Sequence, residues 1–401
     1  MAGSPAVLRQ MNLASVLKVI RTRGPLTRAE VKAYTDLSRP TVNEVLAELF
    51  DRQLIADEEH VDPDGPRPGP RPRLVRFRAE AGCVLGIDVG ASKTLVKVGD
   101  LAGRVLAEAR HKTEAGGVDR LYGTIEAAAE QALERAGMRL DQVRGAVLST
   151  PGVVDPRTGT VTLAPQLDDW AGQAPGDRLT TTFGCPVELE NEMRLAVLGE
   201  QWQGVATEAS TVVYLGLGVG VGAGILLNGH LHRGFHGTAG EIGYLPIPEP
   251  SGQPMRLGLG PFELATGAAR LIEQGRRGAS SGLLRELAGD GEPDERTVFA
   301  AAAQGDPEAL AIVADHAAAL ARGIASVALV VDPELVVIGG GLSAGADVFL
   351  PTLRERVADL LPFEAPPIVP SSLADRAAVV GALRRAVELA GDRLLENGAA
   401  A

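Results

Sequence analysis

Three runs that contain glycine, the first with Gly90 alone and the other two glycine-rich, constrain the fold of this chain more than any other feature of its sequence. Each run follows or ends a short apolar segment typical of a buried strand, and in the second run glycine recurs at every second residue. Glycine lets backbones approach closely and adopt unusual torsions. Because such strands alternate with helical segments from Cys83 onward, the pattern predicts an α/β fold. The runs span residues 88–94, 216–224 and 339–341.

The composition is that of a globular protein with more than one domain. A length of 401 residues suggests two or three domains, and 45% hydrophobic with 22% charged residues excludes a mostly disordered chain. Two cysteines, Cys83 and Cys185, exclude a disulfide-rich scaffold and a multi-cysteine metal site. The sequence has no signal-peptide pattern and no uninterrupted apolar stretch of about 20 residues. We therefore expect a reduced, soluble, cytoplasmic protein.

The net charge of −12 is distributed unevenly along the chain. Residues 1–80 carry 13 Lys and Arg against 11 Asp and Glu, a net of +2, and the remainder carries 26 against 40, a net of −14. DNA repels an acidic body, but association requires only a locally cationic face. The asymmetry indicates that the amino-terminal segment differs in role from the rest.

The amino-terminal segment is predicted to form three short helices followed by a strand. The first helix covers residues 8–23 and stops at a Gly-Pro pair. Thr27 and Glu30 have the spacing of a capping box for the second helix. Ser38 starts the third helix after a tight turn, which gives the order of a helix-turn-helix. In the second helix Val31 and Tyr34 are expected to face inward. The residues of the first helix that recur at roughly helical period are Leu8, Met11, Ala14, Ser15, Leu17, Val19 and Ile20.

The first turn of the third helix carries donors and acceptors of the kind that reach phosphates and base edges in a DNA major groove. We therefore predict DNA binding through this turn. The alternative is a small helical bundle used for packing or dimerisation. The candidate DNA contacts are Ser38, Arg39, Pro40, Thr41 and Asn43.

A Pro- and Gly-rich stretch with several arginines follows, over residues 62–72, and cannot form a core element. Residues 74–77 look like a returning strand, which would complete a winged motif. Arginines of an extended wing can lie along phosphates or enter a narrow minor groove. The alternative is a solubilising hinge. The candidate wing contacts are Arg67, Arg71 and Arg73.

The body of the chain resembles the ROK family, named for repressors, open reading frames and sugar kinases. The motifs that carry the resemblance are the three glycine runs, residues 149–155, the Glu190-Asn191-Glu192 triplet and residues 237–243. With the winged segment in front, the chain is similar to that family's transcriptional repressors. The resemblance covers residues 8–389 and implies a two-lobed, actin-like body of ribonuclease-H-like lobes.

The resemblance also implies domain boundaries and vestigial phosphate loops. The winged helix-turn-helix domain is expected over residues 1–62 and the basic wing or linker over 63–80. The first lobe is expected over 81–192, together with the carboxy-terminal helix 378–396, and the second over 193–377. The positions that match the family's phosphate loops are Asp88, Gly90, Ser92, Lys93, Gly218, Gly220 and Gly340.

Sugar contacts are carried over from the family motifs residue by residue. Asn191 matches the sugar-binding Asn, and Glu192 stands where the family's kinases have a catalytic Asp. Trp170 matches a tryptophan at the cleft border or simply fills the core, and Gln166 is a looser match. Carboxylates and amides can chelate adjacent sugar hydroxyls. The candidate sugar contacts are Gly152, Asn191, Glu192, Glu241 and Glu263.

Two departures from the family pattern argue against catalysis. The extra methylene of Glu192 shifts the carboxylate by over an ångström, and phosphoryl transfer depends almost wholly on positioning. The Glu192 carboxylate either accepts hydrogen bonds from a bound sugar or only stabilises the loop to which it belongs. Val219 replaces a Thr whose hydroxyl can donate to phosphate.

A third departure concerns metal. The family's zinc ligands correspond here to a tyrosine, two prolines and an arginine, so we expect no metal. The histidines of residues 228–237 lack an obvious fourth ligand, and we expect a surface or hinge loop there. The positions at issue are Tyr244, Pro254, Arg256 and Pro261 for the zinc, and His230, His232 and His236 for the loop.

These features together predict a transcriptional repressor that responds to a sugar and lacks kinase activity and cofactors. A homodimer or homotetramer would read an operator with an inverted repeat. The principal alternative is an ATP-dependent hexose kinase that carries an accessory DNA-binding domain. A further alternative is a body that serves only as a docking platform for another protein.

Overall fold

The amino-terminal head is a three-helix unit with a small antiparallel sheet. The computed structural model describes residues 5–58, 73–114, 116–247, 259–278 and 282–394. Within them the sheet has the strand order β1-β3-β2, and the helices pack on one another and on β3. The predicted winged helix-turn-helix order is present. The elements of the head are α1 (Pro5–Arg23), β1 (Leu26–Thr27), α2 (Arg28–Thr35), α3 (Arg39–Asp51), β2 (Ile55–Glu58) and β3 (Leu74–Phe77).

The helix starts of the head form where the sequence places them. The hydroxyl of Thr27 accepts from the backbone N–H of Glu30, whose carboxylate accepts from the N–H of Thr27 at 2.7 Å. Ser38 caps α3 by accepting from the N–H of Thr41. Each cap satisfies donors that the first helical turn leaves free.

The predicted inward stripe of the head is partly wrong. Leu8 and Met11 are 58% and 63% exposed, and Tyr34 is 51% exposed with the Arg23 guanidinium 4.6 Å from its ring centre. The buried face of α1 comprises Leu13, Val16, Leu17 and Ile20, of which Leu17 and Ile20 belong to the predicted apolar series. The face of a helix that becomes buried depends on which neighbouring elements cover it, and its own sequence does not decide this.

The first lobe of the body is built on a five-stranded sheet with the order β10-β7-β4-β5-β6. Strands β10, β7 and β4 are parallel, and β4, β5 and β6 form an antiparallel meander. The elements, in chain order, are β4 (Cys83–Val89), β5 (Lys93–Asp100), β6 (Val105–Lys112), α4 (Val118–Ala136), β7 (Val143–Thr150), β8 (Val153–Val154), β9 (Val161–Leu163), α5 (Pro175–Phe183), β10 (Val187–Asn191) and α6 (Glu192–Gln203).

The second lobe repeats this topology with the order β13-β12-β11-β14-β15. Strands β11, β14 and β15 are parallel, and β11, β12 and β13 are antiparallel. Two copies of one sheet pattern are what the predicted two-lobed body requires. The carboxy-terminal helix α13 (Ala377–Arg393) follows this lobe in the chain. The elements of the second lobe are β11 (Val212–Leu217), β12 (Val221–Leu227), β13 (His230–Leu231), α7 (Pro261–Thr266), α8 (Ala268–Gly278), α9 (Leu283–Ala288), α10 (Glu295–Ala303), α11 (Pro307–Val331), β14 (Leu335–Gly339), α12 (Ala346–Leu360) and β15 (Ile368–Pro370).

Helices α6 and α13 join the two lobes. They pack on each other, and their apolar faces form one core cluster with Val84 and Val147 of the first sheet and Tyr214 and Val337 of the second. Helix α13 also packs on β4, β5 and β7, so the carboxy-terminal helix associates with the first lobe. The residue at which one lobe ends and the other begins stays a prediction.

Within the described residues, α11 is the one helix long and apolar enough to cross a membrane. Of its most apolar window, 61% is buried, and the core of the second lobe includes Ile312, Leu320 and Ile324 from this helix. A helix buried in the core of a lobe is also long and apolar enough to meet this criterion, and α11 is such a helix.

The second glycine run is a packing surface as well as a turn. Its residues lie mostly within β11 and β12, and residues 218–220 alone form the turn between those strands. A Cβ added at Gly216 would overlap the Met193 side chain, and one added at Gly224 would overlap the Met193 carbonyl. The sequence interpretation of a run placed after its strand is therefore corrected, because these glycines let α6 lie against the hairpin.

Gly224→Ala should lower the free energy of unfolding by about 1–3 kcal/mol, because its methyl group collides with the backbone of α6. Gly123→Ala is the matched control, since Gly123 lies in α4 with nothing within 4 Å of its added Cβ. That control should raise stability by about 0.5–1 kcal/mol. Urea unfolding followed by circular dichroism measures both, and equal stability of the two variants would contradict the proposed contact.

Candidate functional site

A cavity of about 210 Å³ lies between the two lobes. The segment after β7 and the junction of β10 with α6 form one side, and the β11–β12 turn with the start of α7 forms the other. All the predicted sugar contacts line this cavity, together with Gln166. These contacts are Gly152, Asn191, Glu192, Glu241 and Glu263.

Asn191 holds the floor of the cavity in place. It is the N-cap of α6, and its side-chain oxygen accepts from the backbone N–H of Met193 at 2.9 Å and of Arg194 at 3.2 Å. Its amide nitrogen donates to the carbonyl of Gly152 at 2.8 Å. The second hydrogen of this amide makes no hydrogen bond to another described residue, so Asn191 can still donate one hydrogen bond to a ligand.

Glu192 occupies the first turn of α6, where the helix dipole would favour a charged carboxylate. Burial nevertheless raises the pKa of Glu192 to about 8, and the nearby carboxylates of Asp88 and Glu241 act in the same direction against Lys93. Desolvation disfavours the charged form of a carboxyl group. At neutral pH Glu192 is therefore mostly a hydrogen-bond donor and is poorly suited to remove a proton from a hydroxyl.

The rest of the cavity is also acidic. Desolvation raises the pKa of Glu241 and of Glu263 above their ordinary values. One oxygen of Glu263 accepts from the backbone N–H of Val221 at 3.1 Å, which fixes the carboxyl against the β11–β12 turn. No Lys or Arg side chain is among the described residues that line the cavity. Such a site can bind neutral polyhydroxylated molecules through several oxygen atoms.

The residues matched to phosphate loops lie near this cavity but are partly occupied by protein contacts. Asp88 is buried, and its carboxylate accepts from the hydroxyl of Ser149 at 2.8 Å. The ammonium of Lys93 is paired with Asp375 at 2.8 Å instead of remaining available to a phosphate. Burial raises the pKa of Asp88, in line with its sequestered position.

The glycines matched to the phosphate loops form turns. The N–H of Gly90 donates to the carbonyl of Lys93, which closes the hairpin that carries the exposed Ser92. A Cβ on Gly218 would lie 3.8 Å from the backbone nitrogen of Gly341, so the second and third runs are neighbours. Gly340 has a φ of +80°, a conformation that favours glycine. Among these glycines, Gly220 lines the cavity.

Other residues differ from the sequence interpretation or were missed by it. Trp170 is fully buried, donates to Thr150 at 2.7 Å and packs on Tyr122, so it fills the core and does not line the cavity. Tyr244 lines the cavity and is 42% exposed. Lining residues that no motif indicated are Leu163, Pro165, Met193 and Leu259. Their only signal was their position beside matched residues.

The described residues contain no group of three or more His, Cys, Asp or Glu side chains arranged to hold a metal ion. His230, His232 and His236 are exposed. His230 begins β13 and so departs from the predicted loop, whereas His232 and His236 lie in the loop that follows this strand. Pro254 and Arg256 lie outside the described residues. The absence of a metal therefore stays a prediction.

The head presents a polar surface at the start of α3. Arg39, Pro40 and Asn43 are exposed, whereas Thr41 is half-buried and shares a hydrogen bond of 2.7 Å with the Ser38 hydroxyl. Two of the five predicted contacts thus serve the helix cap. Arg28, which the sequence interpretation did not single out, is exposed and donates to the Asn43 side chain at 3.3 Å.

The wing is described only in part. Arg73 is 82% exposed at its side chain and lies 3.5 Å from Asp57 on the neighbouring strand. It precedes β3, which returns antiparallel to β2 as predicted. Arg67 and Arg71 lie outside the described residues, and their role stays a prediction.

Comparisons with known proteins identify relatives of both the body and the whole chain. The profile described as "ROK family" matches residues 84–388. A putative xylose repressor of Caldicellulosiruptor sp. (strain Rt8B.4) is 28% identical over 94% of this chain and 96% of its own length. A glucokinase of Thermotoga maritima is 32% identical over 75% of this chain and 95% of its own length.

A solved structure supports the fold of the complete chain. It is a ROK family transcriptional regulator described as a homologue of the Escherichia coli MLC protein. It superimposes with a TM-score of 0.80 over 97% of this chain and 98% of its own, at 24% identity. Because this match covers nearly the whole chain, the winged head and the two-lobed body occur together in that protein as they do here.

Protein stability should fall as pH rises through the window set by Glu192. The pKa of Glu192 is 4.5 in an unfolded chain and about 8 when folded, so its contribution is complete below pH 4.5 and is lost as pH rises through 8. Glu192→Gln keeps the neutral shape and should raise the melting temperature at pH 8.5 but not at pH 5. Glu134→Gln, on the exposed face of α4, is the control. Equal shifts at both pH values would contradict the raised pKa.

Proposed function

This chain belongs to the ROK family, and we propose that it is a DNA-binding transcriptional repressor that responds to a neutral sugar. The observation that carries the proposal is the presence, in one chain, of an acidic cleft between two kinase-like lobes and a winged helix-turn-helix head. The glucokinase relative is matched over 95% of its own length but only 75% of this chain, so part of this chain has no counterpart in it. The relative matched over 94% of this chain is named a putative xylose repressor, which agrees with this assignment.

The charge of the cleft supports a neutral sugar as the effector. Glu192, Glu241 and Glu263 face the cavity, and Asp88 lies close enough to raise the pKa of Glu192. A sugar phosphate would bring a further negative charge to these carboxyls without a lining Lys or Arg to compensate it. Neutral hydroxyls instead donate to carboxylate oxygens and accept from protonated Glu192 and from the Asn191 amide. We therefore assign Gly152, Asn191, Glu192, Glu241 and Glu263 to sugar binding.

Several features support the absence of phosphoryl transfer. The protonated state of Glu192 at neutral pH removes the base that would activate a sugar hydroxyl. Lys93 is tied to Asp375, and Val219 offers no hydroxyl to a phosphate. We propose that the former phosphate loops keep the fold of the cleft and no longer perform chemistry.

The head binds operator DNA, in this proposal, with the start of α3 in the major groove. Arg39 and Asn43 are exposed beside each other on that turn, and Arg28 joins them from α2. Arg73 extends the same cationic character toward the wing. An Arg can bind the O6 and N7 atoms of guanine, and an Asn the N6 and N7 atoms of adenine.

The assembly and location follow from the same role. A repressor with one head per chain reads an inverted repeat when two chains associate with two-fold symmetry, about 10 base pairs separating the half-site centres. We propose a homodimer, or a homotetramer of two such dimers, that acts in the cytoplasm where the operator is accessible.

A hexose kinase with an accessory head is the second candidate, favoured by Asp88 and by the Gly340 turn. In an ADP-release assay with D-glucose, D-xylose and ATP, the protein should show no turnover above background. Glu192→Asp combined with Val219→Thr restores the family's kinase residues and serves as the comparison. Turnover by the unmodified protein that Glu192→Ala abolishes would establish the kinase instead.

Neutral sugars should raise the melting temperature, because a ligand that binds only the folded state stabilises it by RT ln(1 + [L]/Kd). We expect a rise with D-xylose, D-glucose or N-acetyl-D-glucosamine and none with D-glucose 6-phosphate. Glu263→Ala should abolish the rise, and Glu134→Ala should retain it. A rise with the phosphate alone would contradict the charge argument.

Arg39→Ala and Asn43→Ala should each weaken binding to the chain's own promoter region by about 1–3 kcal/mol and relax base specificity. Arg73→Ala should weaken specific and random DNA alike, because phosphate contacts carry no sequence information. Fluorescence anisotropy on both duplexes at fixed salt measures these losses. Equal losses on the two duplexes for Arg39→Ala would refute its role in reading bases.

A further inference from the structure

A continuous series of ion pairs runs from the cleft toward the carboxy-terminal helix. We call the series Arg194, Glu190, Arg233, Glu188 and Arg385 the ion-pair ladder. Arg194 bonds Glu190 at 2.9 Å, and Arg233 bonds the other oxygen of Glu190 at 2.5 Å. Arg233 also lies 3.7 Å from Glu188. The guanidinium of Arg385 donates from Nε and Nη2 to the two carboxylate oxygens of Glu188 at 2.9–3.1 Å. The ladder thus connects α6, β10, the loop after β13 and α13.

The cleft end of the ladder touches the sugar-binding elements directly. Arg194 donates to the carbonyl of Gly237. Gly237 is the first residue of the loop segment 237–241, whose last residue is the cavity-lining Glu241. Glu190 accepts from the backbone N–H of Asn191 at 2.9 Å. A displacement of either element on sugar binding therefore changes the surroundings of the first two members of the ladder.

The other end of the ladder reaches the DNA-binding head. Arg385 also bonds Glu388 at 3.1 Å on α13. In the same turn, the carbonyl of Val387 accepts from Arg21 of α1 at 3.1 Å. Desolvation lowers the pKa of Arg21, and the negative charges of Glu388 and Asp392 oppose that effect.

Burial couples the first two members of the ladder most strongly. The side chains of Arg194 and Glu190 are 2% and 4% exposed, so losing a partner would leave a buried charge unpaired, whereas Arg233, Glu188 and Arg385 are half-buried. The planar guanidinium of Arg385 holds both oxygens of Glu188, which a single ammonium cannot do in the same geometry. A set of ion pairs linked in this way has only a few arrangements in which every charged side chain keeps a partner.

We propose that Arg385 and Arg21 are positioning residues that transmit sugar occupancy of the cleft to the head. The inference rests on the proposed function and names the regulation of that same site. Sugar binding shifts the loop of residues 237–241, and the ion pairs of the ladder rearrange together. The resulting displacement of α13 moves the Val387 carbonyl to which Arg21 donates. The orientation of α1, and with it the separation of two heads in a dimer, follows. Neither residue touches sugar or DNA in this scheme.

The test measures the coupling between the two sites. Operator affinity is measured by anisotropy on the promoter duplex, without and with saturating D-xylose or D-glucose. The ratio of the two Kd values for the unmodified protein should lie in the range of about 5–150-fold. Arg385→Ala and Arg21→Ala should reduce that ratio to within about 2-fold of unity. Each should leave the sugar Kd, measured by calorimetry on the DNA-free protein, within about 3-fold, because neither residue lines the cavity.

Neighbouring arginines supply matched controls. Arg384 lies beside Arg385 and bonds Glu388, Gln201 and the carbonyl of Leu198, but it makes no bond to Glu188 and so does not belong to the ladder. Arg23 lies on the Tyr34 ring and has no bond to α13 among the contacts described. Arg384→Ala and Arg23→Ala should retain the ratio even if they lower the melting temperature, and Arg385→Lys should recover it only partly. An unchanged ratio in Arg385→Ala overturns the ladder, whereas a ratio of one in the unmodified protein overturns the proposed function.

A second measurement needs neither sugar nor DNA. Amide hydrogen exchange reports local opening, and α1 should exchange faster in Arg21→Ala and Arg385→Ala than in the unmodified protein. The effect of Arg385→Ala is the decisive one, because this residue does not contact α1 itself. Exchange in α1 that is the same in Arg385→Ala and Arg384→Ala would refute transmission through Arg385.

Discussion

The close packing of α6 is the constraint on which the rest of the structure depends. Gly224 of the hairpin and Gly381 of α13 leave no room for a Cβ, because the backbone of α6 lies directly against both. The amino terminus of α6 begins at Asn191, inside the cleft. One helix therefore sets the distance between the lobes and positions the residues that face a ligand.

That placement also determines the chemistry of the cleft. Burial of several carboxyl groups around Glu192 raises its pKa to about 8, since each added negative charge is poorly compensated where water is excluded. A protonated carboxyl group can hold a sugar hydroxyl but cannot readily deprotonate it. In the proposed function, sugar recognition and the absence of catalysis therefore share one electrostatic cause.

Sequence reasoning succeeded where a structure depends on near neighbours. The capping box of Thr27 and the cap of Ser38 form as predicted, since each involves residues three positions apart. It failed for Tyr34, because its exposure depends on distant elements, and it could not decide the place of Trp170 for the same reason. Five cleft residues were found because family motifs fix them, whereas the unremarkable Leu163 carried no signal of its own.

The sequence by itself determined the architecture: a winged head, a two-lobed α/β body and a family resemblance carried by motifs such as residues 88–94 and 237–243. Only the tertiary structure decided the protonation of Glu192 and the pairing of Glu188 with Arg385, two residues separated by 197 positions. Local preferences are encoded in short stretches of chain. Desolvation and ion pairing depend instead on distances between segments, which exist only after the chain has folded.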